Sequence, residues 1–314
     1  AAVMTMLHEF TPYVEQVSVD EAFLDVRGAL KRWDSPVALA RELKRRVRQK
    51  AALTCSVGVA PNKFLAKVGS DFRKPDGLTV IPADEERIRR FLASLRVGDI
   101  WGVGKVTAER LSRAGITTVE HLQSIPLVTL VHILGAGPAY HLKQLAFGRD
   151  DRPVVTEHEE KSISHEDTFP EDCDDPRVLK QTLIELTEKV GRRLRRSGKC
   201  AATGQIKVRF SDFYTITRQQ GLRPPCSSDR ALLRCAVELF EREKIKRPVR
   251  LLGFGVSNLR QLGDAGALHQ PWLFDAMTFM PEATEQREHE LDRVVDELRQ
   301  QYGERIIRRG DWRK

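Results

Sequence analysis

The chain has 314 residues, 41% hydrophobic and 31% charged, and its 52 Lys and Arg outweigh 44 Asp and Glu for a formal net charge of +8. That length allows two or three hydrophobic cores, and the modest basic surplus suits a polyanionic partner without requiring one. Five cysteines with no C-x-x-C pair exclude a disulfide framework and a zinc ribbon; no run of about 18 apolar residues and no basic, then apolar, leader point to a membrane or to export. The sequence reads as a soluble, cytoplasmic protein with reduced thiols. Its first residue is Ala1, in what looks like the middle of an element, so further sequence is expected upstream.

The stretch QVSVDEAFLDV (16–26) alternates apolar residues as a strand does, yet Asp20 and Glu21 interrupt it. Neighbouring strand residues point to opposite faces, so the two carboxylates can share a ligand only where the backbone turns, as at a hairpin tip. Paired carboxylates are hard-oxygen ligands for Mg²⁺ and serve two-metal phosphoryl chemistry; simple solvation of an exposed turn explains the same residues. Leu39, Leu43, Val47 and Ala51 then mark an amphipathic helix with Arg41, Lys44, Arg45 and Arg48 between them. TCSVGVA (54–60) is a short strand, Pro61 opens a helix over PNKFLAKVGSDF, and KPDG turns into the strand LTVI (78–81). Lys63 and Lys67, one helical turn apart, and Lys74 in the following turn could hold a triphosphate or form a solvated basic face. These elements make a mixed α/β layer over residues 1–81.

Residues 82–148 lose the strand pattern. Short helices follow two similar breaks, Gly102-Val103-Gly104 before KVTAERLSRAG and Gly135-Ala136-Gly137 before PAYHLKQLAFG, a duplicated helix–hairpin–helix unit. Such glycines let helices cross closely and present backbone N–H groups to a phosphate, with Lys105 adding charge; an αα-turn that merely needs glycine is the plainer alternative. Residues 149–160 are polar and aperiodic, as in a linker. Residues 161–260 read β-α-β-β-α-β, a ferredoxin-like order, from KSISHEDTF through QIKVRFSDF and YTITRQ to VRLLGFGVSNL. There Ile206, Val208 and Phe210 face one way and Lys207 and Arg209 the other, with Arg250 opening the last strand, so that a basic open face can track a sugar–phosphate backbone. Arg192, Arg193, Arg195 and Arg196 at a helix end are assigned to the helix dipole. The tail, 261–314, carries HQPWLFD, whose apolar triplet suits a docking peptide or a staple onto the nearest core, and a charged helix with Leu291, Val294, Val295 and Leu298 as its apolar stripe.

Taken in order, SVDEAFLDV, SVGVAPNKFLAKVGSDFRKPDGLTVI, IWGVGKVTAERLSRAGI, LAFGRDDRPV and GVSNL resemble the Y-family translesion DNA polymerases, most of all the DinB branch, DNA polymerase IV. The resemblance spans roughly residues 5 to 260 and implies an α+β protein. It would contain a partial palm, an all-helical thumb with its helix–hairpin–helix, and a β-α-β-β-α-β little finger. It implies Asp20 and Glu21 as the second and third metal-binding carboxylates for two Mg²⁺ ions, and Lys74 on the incoming dNTP. Gly102 and Gly104, with Gly135 and Gly137 as the second copy, would grip primer–template DNA. Gln270, Leu273 and Phe274 match the Q-x-x-L-F peptide that docks on the sliding clamp (β subunit), and the protein is expected to act as a monomer. The family's opening D-x-D-x-F-F-type strand and its fingers do not occur in this sequence, so the chain as written is expected to lack one metal ligand and to polymerise poorly alone. Two other readings fit the same residues: a non-catalytic DNA- and clamp-binding relative, against which the retained Asp20 and Glu21 speak, and a UmuC-like polymerase subunit.

Overall fold

The computed structural model describes residues 2–157, 159–261, 282–303 and 306–307. The chain divides into two units, residues 1–158 and 159–314.

In the first unit, α1 (Ala2–Leu7) leads into an antiparallel hairpin of β1 (Val14–Gln16) and β2 (Ala22–Leu24), in which Glu15 lies opposite Phe23. The long helix α2 (Pro36–Ala51) begins where Ser35 accepts the Ala38 amide and Pro36 presets the first turn. Its Leu39, Leu43 and Val47 are buried against Met6, Phe10 and Val14. Next come β3 (Val57–Val59), α3 (Lys63–Phe72) and β4 (Leu78–Val80), a parallel pair joined by its crossover helix. The two strand pairs are separate two-stranded sheets. Pro61 lies outside α3, not in its first turn, because Asn62 is the cap and accepts the Leu65 amide at 2.9 Å. A Cβ added at Gly58 would stand 1.9 Å from the Ala66 carbonyl oxygen, so α3 rests directly on the β3 backbone.

The helices α4 (Glu85–Ala93), α5 (Lys105–Arg113), α6 (Val119–Ser124), α7 (Leu127–Leu134) and α8 (Ala136–Ala146) follow. They share one core with α3: Phe64 and Leu65 pack with Leu92, Leu111, Leu122, Leu130 and Leu145, all at most 2% exposed.

The second unit runs β5 (Ser162–Cys173), α9 (Pro176–Arg196), β6 (Lys199–Phe210), β7 (Thr215–Cys226), α10 (Asp229–Arg242), β8 (Val249–Gln261) and α11 (Glu282–Tyr302). The sheet order is β5-β8-β6-β7 and every neighbouring pair is antiparallel. Each helix-linked pair, β5 with β6 and β7 with β8, is therefore split by one strand. The strands extend well past the alternating runs seen in the sequence. β7 accommodates Pro224 and Pro225 because it lies at the sheet edge, where a missing N–H breaks no ladder. Ile206, Val208, Leu252, Phe254 and Val256 meet Leu183, Leu186, Val190, Leu232 and Leu239 in one core, which leaves the other sheet face open.

α11 departs from the expected arrangement, since only Val295 and Leu298 of its stripe are half-buried. Leu291 and Val294 of its apolar stripe are 58% and 46% exposed, whereas Asp292 and Arg299 are 2% and 5% exposed. Its charges meet charges of α9 and α10: Arg195 contacts Asp296 at 2.8 Å and Asp229 at 2.6 Å, and Arg299 contacts Glu188 at 2.6 Å. The arginines ending α9 thus do more than complement its dipole, since Arg195 holds three elements together.

Candidate active site and nucleic-acid interface

Residues 17–20 form the tip between β1 and β2, closed by the Glu21 carbonyl, which accepts from the amides of Val17 and Ser18 at 2.9 and 3.2 Å. The strand alternation stops where the charges sit. Ser18 Oγ donates to Asp20 Oδ1 at 2.6 Å and accepts from the amides of Asp20 and Glu21 at 3.3 and 3.1 Å. The Ser18 bond, then the Asp20 amide, hold this exposed carboxyl below its ordinary range; the charges of Lys74 and Lys67 act in the same direction. Asp20 is ionised at neutral pH.

Because α3 is seated on β3, its polar side reaches the hairpin tip. Lys67 Nζ bridges Glu21 Oε1 at 2.9 Å and Asp71 Oδ2 at 2.7 Å, and Lys74 Nζ meets Asp71 Oδ1 at 2.6 Å. Burial alone would lower the Lys67 pKa, but its hydrogen bonds to Asp71 and Glu21 win and raise it. In Asp71 burial is likewise outweighed, by Lys67 and Lys74, and the carboxyl is held low. Asp71 is the residue that sequence reasoning missed. Its signal was local: it stands four residues after Lys67 on one helix face. Lys63, in contrast, is withdrawn from any phosphate-binding role, since it is 8% exposed and its Nζ contacts both Glu15 oxygens at 2.7 and 2.6 Å.

At the two glycine breaks the glycines divide by cause. Gly102 and Gly135 have φ of +97° and +86°, a region that side chains avoid. Gly104 and Gly137 have negative φ, and a Cβ on either would meet nothing within 4 Å. Close helix crossing, expected from the sequence, therefore does not explain these two; they leave the exposed N-terminal turns of α5 and α8 bare toward solvent. The copies also differ in register, because the second glycine caps α5 and the first caps α8. Lys105 is exposed at the start of α5.

On the second unit, Lys207 and Arg209 do face away from the core, but the open face is largely polar and glycine-bearing: Gly253 lies opposite Lys207, and Thr217 flanks it on β7. Lys207 pairs with Glu166 at 2.8 Å, and Arg209 Nε donates to Thr215 Oγ1 at 3.0 Å. Arg250 belongs to neither face in register. It is the extra residue where Arg209 pairs with Leu251 and Phe210 with Val249, and it lies 3.5 Å from Asp172 and over the Phe213 ring. Gln270, Leu273 and Phe274 lie outside the described residues.

The sequence matches the impB/mucB/samB family over residues 1–71, the IMS family HHH motif over 85–116, and the impB/mucB/samB family C-terminal domain over 160–269. The HHH match contains Gly102, Gly104 and Lys105 but stops short of the second glycine break. The chain is 41% identical over 259 residues to the DNA polymerase IV of Alkalilimnicola ehrlichii, covering 82% of this chain and 72% of that protein. The chain belongs to the DNA polymerase IV family. The Oceanobacillus iheyensis DNA polymerase IV is 36% identical over 307 residues, covering 97% of this chain and 70% of that relative. Among solved structures, a Y-family DNA polymerase chimera, Dbh-Dpo4(243-245)-Dbh, superposes with a TM-score of 0.71 at 27% identity, covering 83% of this chain and 75% of its own. The insertion ternary complex of Dbh DNA polymerase follows at a TM-score of 0.56 and the same identity and coverage. DNA polymerase IV proteins are metal-dependent, DNA-directed DNA polymerases of the translesion class. Among the described residues no helix is long and apolar enough to cross a membrane.

Proposed function

We propose that the chain serves template-directed, low-fidelity translesion synthesis, adding dNMP units to a primer 3′ end together with the first metal-binding carboxylate that its own sequence does not supply. In this reading residues 1–81 are palm, 82–148 thumb, 161–260 little finger and 261–314 a tail. The observation that carries it is the juxtaposition at the hairpin tip: an ionised Asp20 and a Glu21 on one side, and the Lys67–Asp71–Lys74 row on the other.

Asp20 and Glu21 offer hard oxygens suited to Mg²⁺, which usually takes one or two carboxylates and fills its shell with water and substrate phosphates. Two Mg²⁺ ions bound there would lower the pKa of the attacking 3′-hydroxyl and neutralise charge on the departing pyrophosphate. Lys74, 56% exposed at its side chain, is free to swing from Asp71 onto a triphosphate, and Asp71 keeps it aimed until then. The bare N-terminal turns at Gly104 and Gly137 seat primer phosphates without reading bases, and Lys207, Arg209 and Arg250 follow the backbone of the duplex. The peptide Gln270 to Phe274 docks the monomeric polymerase on a sliding clamp.

Primer extension and primer–template binding, measured side by side on Asp20→Ala and Glu21→Ala in the complete protein, test the reading. Changing groups behind metal ligands costs about 10–100-fold, so losing a ligand should cost more than about a hundredfold in synthesis while DNA binding persists. Equal synthesis by variant and parent refutes the metal assignment. For the tail, Leu273→Ala with Phe274→Ala should abolish clamp binding and spare clamp-free synthesis; unchanged clamp affinity rejects the docking role.

A further inference from the structure

The buried pair Lys63 and Glu15 takes no part in the site above, yet both partners reach beyond the elements that carry them. Lys63 Nζ, 5.2 Å from the centre of the Phe23 ring, also donates to the Pro153 carbonyl at 3.1 Å. Glu15 Oε2 accepts the Val155 amide at 2.8 Å. Just upstream, the Asp150 side chain, 1% exposed, accepts the Phe64 amide at 3.1 Å and meets Arg152 Nε at 2.6 Å. The Arg152 guanidinium lies 4.7 Å above the Trp101 ring. On the far side of the connection, Glu160 meets Arg193 at 2.5 Å, and its carbonyl lies 3.5 Å from Lys199 Nζ.

We propose that the Lys63–Glu15 pair is a latch that fastens residues 153–155 to the first unit and so sets the length of the connector between the two units. The segment read from sequence as a linker begins at residue 149, but in the latched chain Val155 is fastened to the first unit and Glu160, five residues on, to α9. Five Cα steps reach at most about 17 Å; with the latch open the span runs from Arg152, eight steps or about 27 Å. A longer connector lowers the effective concentration of the second unit at DNA held by the first, roughly as the −3/2 power of length, which gives about a twofold loss. This last consequence rests on the polymerase reading; the latch itself does not.

The test is amide hydrogen exchange on the whole chain, comparing the parent with Glu15→Gln/Lys63→Met, which removes both charges together so that neither is stranded. Exchange at the Val155 amide, the one that Glu15 holds, should quicken at least tenfold while α3 keeps its protection. Parent exchange at the Val155 amide as fast as in an unstructured peptide, or no change there in the variant, overturns the latch. A second variant, Val155→Pro, deletes the gripped amide and leaves the pair in place. Both variants should bind primer–template about twofold more weakly with kcat unchanged, and undiminished affinity overturns the connector-length role. Failure of the parent to bind DNA at all would count against the polymerase reading and leave the exchange result standing.

Discussion

Gly104→Ser separates stability from DNA binding at the first glycine break. Gly104 is the N-cap of α5, at φ −78° and ψ 169°, ordinary extended backbone, and an added Cβ meets no atom within 4 Å. Serine fits there without strain and its hydroxyl can accept the amides of Val106 or Thr107, which raises helix stability by a few tenths of a kcal/mol. Those amides are the ones a primer phosphate would use. Losing one hydrogen bond to a charged group costs about 1.5–3 kcal/mol, so affinity for primer–template should fall between about tenfold and a hundredfold. Thermal melts and fluorescence anisotropy at one fixed salt concentration read the two effects. The expected signature is opposite signs: a melting temperature that holds or rises, and weaker binding. Gly102→Ala is the control, because φ of +97° costs a side chain about 1–2 kcal/mol and lowers stability whatever DNA does. A Gly104→Ser protein that binds DNA as the parent does would show that no phosphate sits on this turn.

Gly58→Ala should destabilise the first unit by about 1–3 kcal/mol, since its Cβ would meet helix backbone at 1.9 Å and α3 must lift, carrying Lys67 and Asp71 from the hairpin tip; urea melts with unchanged midpoint contradict this. Arg195→Met should cost about 3–5 kcal/mol in the second unit, because it withdraws the cation shared by Asp229 and Asp296, and should raise exchange along α11 first; protection of α11 equal to the parent's rejects the ionic docking. Asp71 and Asp150 are both held below the ordinary 3.8 although burial pulls the other way, the lysines prevailing at Asp71 and Arg152 at Asp150. Their contribution is therefore full above about pH 4 and is lost as the pH falls from there through the lowered values. Chemical denaturation between pH 6 and pH 2 should show an acid limb that is shallower in Asp150→Asn, and an identical limb refutes the assignment.

What could be read from the sequence depended on whether the partner was local or apolar. Leu183, Leu186, Val190 and Leu194 are all buried, as their spacing required, and so are Ile206 and Val208, because both periodicities report a face turned to a generic oily layer. The carboxylate pair was legible as a turn, because a strand cannot place neighbouring residues on one side. Lys63 was not: its partner Glu15 is 48 residues away, and nothing in a lysine's neighbours says that a distant carboxylate will bury it.

α11 shows why that limit is physical. A stripe of Leu291, Val294, Val295 and Leu298 states only which side of a helix is apolar, while the buried side is the one whose partners lower the free energy most. Here the partners are Arg195, Asp229 and Glu188, up to 111 residues away, and ionic groups are withdrawn from water only where opposite charge is already in place to receive them. The helices α9 and α10 supply the groups that offset part of the cost of burying Asp292 and Arg299. The position of α11 is thus a property of the folded second unit, encoded in complementary charges on three helices, and no window of sequence around residues 282–302 contains it.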